Sequence, residues 1–165
     1  MKIICRLVFL AVVIVAGVWL WTILFPSPEK IIRKRLAQAA SEASFKSGEN
    51  PLIGAARAET LAGFFSTNVE ININVPELGQ HNFAGRDEIM QAAAGARAEA
   101  GSLTVEFPDM NITVSADKLS AVADVTLKVQ AAGQKDIYVQ EFKFTFQKTG
   151  GDWLITRVET VRTLS

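Results

Sequence analysis

The last third of the chain alternates. Residues 119–130, 136–147 and 153–164 read LSAVADVTLKVQ, DIYVQEFKFTFQ and WLITRVETVRTL, separated by AAGQK and KTGGD. Apolar side chains recur at every second position, Val, Ile, Thr and Phe are abundant, and both connections carry Gly. This pattern predicts an antiparallel meander of three strands. Three strands with one apolar face do not hold together alone in water, so the segments upstream must cover that face.

Upstream the period lengthens. Ser27, Pro28 and Glu29 open a first helix, with Pro at the first helical position and an acid in the first turn. It runs to about Phe45, placing Ile32, Leu36, Ala39, Ala40 and Ala43 on one stripe and the Lys and Arg residues off it. KSGEN ends it, and Asn50 with Pro51 starts a second helix to about Phe65 that buries Ala58, Leu61, Ala62 and Phe65. In residues 69–75, Val69, Ile71, Ile73 and Val75 alternate with Glu70, Asn72 and Asn74, a strand with one wet face. Residues 76–82 read as a loop containing His81, and a lone loop histidine is most often simply solvated. A third helix spans 85–101, with Gly85 and Asp87 at its start, Glu88 at the positive end of its dipole and Gly101 at its close. A further strand begins at Leu103. Pro108 and Asp109 interrupt it, and because Pro cannot donate to a ladder a bulge is expected there, curving the sheet.

Ahead of the helices, residues 7–25 read LVFLAVVIVAGVWLWTILF, with no charge and Thr22 as the only polar side chain. That is about the length a helix needs to cross a bilayer, and Trp19 and Trp21 suit an interfacial belt. A cleaved signal peptide would need small residues before the cut, which TILFPSPEK does not offer. The expectation is therefore a transmembrane anchor over residues 1–26 and one folded domain over 27–165. Basic residues flank the span on both sides, Lys2 and Arg6 before it and Lys30, Arg33, Lys34 and Arg35 after it. Short basic N-terminal tails stay in the cytoplasm, which points to a single-pass protein of the inner membrane with its domain in the periplasm. The basic cluster of the first helix would serve as a solvated face or as a contact to anionic headgroups.

Charge and composition narrow the function classes. Lys plus Arg equals Asp plus Glu at 17 each, so there is no basic excess for nucleic acid. One cysteine, Cys5, and one histidine, His81, leave no thiolate cluster and no histidine metal site, so neither metal nor cofactor is expected. No Gly-rich phosphate loop or Ser-His-Asp arrangement is visible.

The order helix, helix, strand, helix and then four strands, with FAGRDEI opening the third helix and GGDWLITRVETV near the end, resembles the NTF2-like superfamily, also called SnoaL-like or cone-shaped α+β domains. The resemblance covers residues 28–164. It implies an α+β fold in which three helices pack on a strongly curved antiparallel sheet and leave a conical pocket. Its members include ketosteroid isomerases, polyketide cyclases, epoxide hydrolases and non-catalytic modules, so fold alone leaves function open.

In proteins this chain resembles, the Trp and Ile of the last strand point inward. By alternation Trp153, Ile155, Arg157 and Glu159 would then face the cone together, joined by Tyr138, Phe142 and Phe144 from the strand before, with Phe146 on the same aromatic face. Glu159, Arg157 and Tyr138 are the candidate catalytic residues, Glu159 as base and the other two as electrostatic partners; the alternative for Arg157 and Glu159 is an ion pair with each other at the mouth or the dimer surface. Asp124 alternates with Ala123 and Val125 and points away from the core face. No aspartate occupies a clearly inward position. The reading is thus a membrane-anchored, non-catalytic module that binds a partner protein or a small apolar ligand. The alternative is a pocket enzyme of the isomerase, cyclase or epoxide hydrolase type using Glu159 and Arg157. Val139, Glu141, Lys143 and Thr145, with Leu154, Thr156, Val158 and Thr160, form a semi-apolar outer face. With the resemblance, that face predicts a homodimer through strands 137–147 and 153–163.

Overall fold

Ile32 and Leu36, one turn apart on the first helix and almost wholly buried, are where helix and sheet meet. In this computed structural model, which describes residues 12–17, 26–75, 79–132 and 137–161, that helix, α1, runs Pro28–Ala43. Its buried positions Ile32, Leu36, Ala39 and Ala40 are the expected stripe. Burial of the two larger side chains stabilises the contact by about 1.5–3 kcal/mol each. Ser44 ends the helix: its hydroxyl donates to the Ala40 carbonyl at 2.8 Å and accepts from the Val105 N–H at 2.9 Å. Phe45 then exchanges two backbone hydrogen bonds with Leu103 at 2.9 Å, tying the connection to the sheet edge.

Helix α2 runs Pro51–Ala62 and α3 runs Arg86–Glu99. The Asn50 side chain accepts from the Leu52 N–H at 2.9 Å, the cap expected from Asn followed by Pro. At α3, Glu88 reaches back to the Ala84 N–H at 2.8 Å. The second helix was expected to reach Phe65. It stops at Ala62, because the Gly63 N–H closes its last turn and Phe65 enters the sheet, where it remains buried.

Six strands follow the order β2-β1-β6-β5-β4-β3, with β1 Phe65–Val75, β2 Gly79–Ala84, β3 Leu103–Val114, β4 Ser120–Ala131, β5 Tyr138–Thr149 and β6 Asp152–Thr160. All neighbours are antiparallel except β1 and β6, which run parallel. The meander is as expected. β5 and β6 join through Gly150 and Gly151, whose positive φ angles of 61° and 95° are those a two-residue hairpin demands. The expected bulge lies where Pro108 predicts it: Phe107 and Pro108 together oppose Leu127. Residues 79–84, read as part of a loop, are instead an edge strand, and His81 pairs with Ile73. GQHNFA carries no alternation of its own; the ladder offered by β1 supplies the strand.

Among the described residues the core is drawn from between Ile32 and Val158, all within the domain from residue 26 onward. Val12, Val13, Ile14 and Val15 lie in a helical stretch at residues 12–17 and are exposed, outside that core. Among the described residues no helix is long and apolar enough to cross a membrane. The rest of the expected span, 7–11 and 18–25, lies outside the described residues.

Candidate functional site

Between α1 and the concave face of the sheet is a cavity of about 300 Å³. It exists because the last two turns of α1 carry Ala39, Ala40 and Ala43, side chains too short to reach the strands opposite. The far wall is aromatic: Phe107, Phe142 and Phe144 line it. Phe107 meets Phe144 edge-on at 5.9 Å between centroids, and Phe144 stacks towards Phe146 at 6.5 Å. Such pairs hold a wall rigid. Ile71 and Ile73 of β1, Ile155 and Val158 of β6, Leu61, Phe65, Leu36 and Leu127 complete the lining. Every side chain around the cavity is apolar.

Three of the residues expected here, Ile155, Phe142 and Phe144, line the cavity. Trp153 is buried but sits at the start of β6, next to the Arg35–Asp152 ion pair, and does not reach it. Tyr138 is half-buried at the end of the aromatic row, with its hydroxyl 3.4 Å from the Gln140 amide oxygen, and is not part of the lining. Asp124 is exposed, as expected.

Arg157 and Glu159 do not face the cone. Between β5 and β6 the register slips by one residue: Phe146 pairs with Ile155 but Thr145 pairs with Arg157, leaving Thr156 as an extra residue whose hydroxyl donates to the Thr145 carbonyl at 3.3 Å. One extra residue reverses which face each following side chain takes. Val158 therefore turns into the core, 5% exposed, and Arg157 and Glu159 turn out. Arg157 bonds the Glu70 carboxylate of β1 and lies 3.6 Å from Glu159, with about half its side chain exposed. The bond to Glu70 raises the Arg157 pKa above its ordinary value, with both glutamate charges adding to it. The result is an exposed ion pair in which Glu70, rather than the expected Glu159, is the nearer partner. The same slip removes Val158 from the outer face on which a dimer contact was expected.

A second charged cluster escaped the sequence altogether. Arg57 donates to Glu42 at 2.9 Å and to Glu49 at 3.1 Å, and Arg97 lies 3.4 Å from Glu49. Arg97 also donates to the Ala93 carbonyl at 3.0 Å and to the Glu42 carbonyl, and its guanidinium covers the Phe45 ring at 5.2 Å. The Glu42 bond, against a smaller desolvation, raises the Arg57 pKa. Two cations and two anions thus satisfy one another, clamping the end of α1, the 44–50 connection, α2 and α3. Nothing in the sequence marks this set, because its members lie up to 55 positions apart. Among the described residues no group of His, Cys, Asp or Glu is placed to hold a metal ion.

A model of the SnoaL-like domain family matches residues 44–159. No curated protein matches the chain. Among solved structures, a protein of Novosphingobium aromaticivorans proposed to be a scytalone dehydratase superposes with a TM-score of 0.60 at 14% identity, covering 82% of this chain and 84% of that one. An NTF2-like protein with a cystatin-like fold from the same organism gives 0.56 at 18% identity, covering 78% and 79%. The yeast UBP3-associated protein BRE5 gives 0.61 at 13% identity, covering 84% of this chain and all of that one. At such identities the likeness is one of fold.

Proposed function

The chain belongs to the SnoaL-like, NTF2-like family, and from that premise we propose that it is a non-catalytic member that takes up a small apolar ligand in its cone. The carrying observation is the wholly apolar lining of the cavity. General acid–base catalysis needs a titratable group within hydrogen-bond reach of the substrate, and an apolar wall places none there. Such a wall favours a ligand that needs no polar partner inside. A cavity of about 150 Å³ accommodates benzene, so one of this size, open at one end, suits an aromatic of two or three rings or a short acyl chain. N-phenyl-1-naphthylamine is a direct probe. Its fluorescence should rise on mixing with the domain, and Ala43→Phe, which fills the cavity from α1, should abolish the rise while leaving the fold intact. Turnover of a panel of epoxides, ketosteroids or dehydratable aromatic alcohols by the parent would defeat this reading and restore a pocket enzyme.

The N-terminal segment, residues 7–25, is proposed to tether the domain to the inner membrane, on the strength of its uncharged apolar sequence. Retention of the full chain in membranes after carbonate washing tests the tether, and an alkaline phosphatase fusion after Ser165 tests the periplasmic side. Self-association through the outer face of β5 and β6 is also proposed, now centred on Val139, which is 57% exposed, with Glu141 and Lys143 beside it. Val139→Lys should leave the fold unchanged and convert a dimer to a monomer by light scattering. A parent already monomeric at micromolar concentration ends that proposal.

A further inference from the structure

At the end of the sheet where α1 begins, three segments distant in sequence converge. The Lys148 N–H donates to the Leu119 carbonyl at 2.8 Å, which joins the β3–β4 turn to the β5–β6 turn. Arg35 of α1 reaches Asp152 of the second turn at 3.1 Å. Lys118 of the first turn lies near Glu29; that carboxyl is held low mainly by its own backbone N–H and by the Ser27 hydroxyl, with Lys118 adding a smaller electrostatic share. The surface so assembled carries Lys30, Arg33, Lys34, Arg35, Lys118 and Lys148 against Glu29, Asp117 and Asp152. Over the whole chain the two signs balance, so this basic excess is local and the remainder of the molecule is correspondingly acidic.

Leu119 is the last residue of the first turn, 57% exposed, beside Lys118 in the chain and joined through its carbonyl to Lys148. Its turn is held: the Asp117 carboxylate accepts from the Leu119 N–H at 2.9 Å and from the Ser115 hydroxyl. Lone exposed leucines are common on protein surfaces; what sets this one apart is the set of lysines around a turn that hydrogen bonds hold in place. That arrangement fits the boundary of a bilayer, where cations meet headgroup phosphates and an aliphatic side chain reaches below them. The chain also enters the domain at this end, through Pro26 and Ser27, directly after the apolar segment.

We propose that this end of the domain is a docking surface for an anionic lipid bilayer, with Lys30, Lys34, Lys118 and Lys148 over the headgroups and Leu119 inserted between them. α1 then rises away from the membrane, and its 16 residues carry the cavity roughly 20 Å above it. The surface belongs to the folded domain and acts whether or not residues 7–25 insert.

The test uses the domain from residue 26 onward, which contains every core residue among those described, and vesicles of phosphatidylcholine with and without phosphatidylglycerol. Cosedimentation is expected only with the anionic vesicles and should weaken as salt rises. Each lysine near a charged surface contributes about fivefold, so Lys118→Asn with Lys148→Gln should lower affinity about 25-fold. Leu119→Ser should weaken binding in both low and high salt. Lys46→Gln, exposed beyond the far end of α1, should change nothing. Equal binding to neutral vesicles, no binding, or binding untouched by the double substitution would overturn the proposal, as would capture of an acidic protein with no affinity for vesicles. Failure of the tether is distinguishable: the full chain would then leave carbonate-washed membranes while the domain still bound anionic vesicles.

Discussion

Two halves of β6 obey the same alternation and reach opposite outcomes. Before Thr156, Trp153 and Ile155 point into the core; after it, Arg157 and Glu159, at the same spacing, point to solvent and Val158 takes the inward place. Alternation is therefore a local rule. It holds along an unbroken ladder and is reset by any residue that the partner strand leaves unpaired. Here the reset decides the functional reading, since it removes the two charges that would have made the cone an acid–base site and leaves an apolar wall.

The sharpest way to break this comparison is to add one more residue at the slip. Inserting an alanine between Thr156 and Arg157 would shift the phase of all that follows the bulge, driving Arg157 and Glu159 inward and expelling Val158. We expect no cooperatively folded protein, read as loss of a thermal transition by circular dichroism. Deleting Thr156 instead leaves an unbroken ladder with Val158 still inward, and a deletion variant that loses its thermal transition would mean that the slip does not set the phase. Val158→Lys, next in size, buries an ammonium in the core without a partner and should cost upwards of about 4 kcal/mol in urea titrations.

The contrast also explains how much was readable in advance. The stripe on α1, the Asn50 cap, the hairpin glycines and the bulge at Pro108 are each written in residue types with a local physical cause: helical spacing, a carboxamide acceptor, positive φ, a missing donor. Thr156 has no such marker, because threonine is an ordinary strand residue and only the β5 register makes it surplus. β2 is likewise a product of its neighbour. The cavity was half legible: its aromatic wall was expected, but Ala39, Ala40 and Ala43 read as a packing stripe, and that they leave a space depends on how far the sheet curves away. Phe107 was missed although plain alternation from Leu103 and Val105 places it inward, just before the bulge.

Of the charged groups, those in the clamp should matter more than those on β6. Arg97 is nearly buried, with two backbone carbonyls, Glu49 and the Phe45 ring around it. Arg97→Ala leaves Glu49 partly buried with only Arg57 as partner, and should cost on the order of 3 kcal/mol. An unchanged urea midpoint would mean that α3 is held by apolar contacts alone.

Arg157 closes the series with the smallest effect. Its side chain is half in water, and both carboxylates that it meets are exposed to a similar degree. Solvent screens such pairs, so Arg157→Ala combined with Glu159→Gln should leave the urea midpoint within error. The pH dependence gives an independent reading. The folded pKa of Arg157 is raised above its unfolded value, so whatever stability it contributes is fully present below the unfolded value. That share is lost only as pH rises through the folded one, in strongly alkaline solution. Between neutral pH and pH 10 the parent and the double variant should therefore differ by a constant. Probe uptake by the cone should be identical in the two proteins, because neither residue lines the cavity. A drop in uptake specific to the double variant would return Arg157 and Glu159 to the site and undo the distinction between the two halves of the strand.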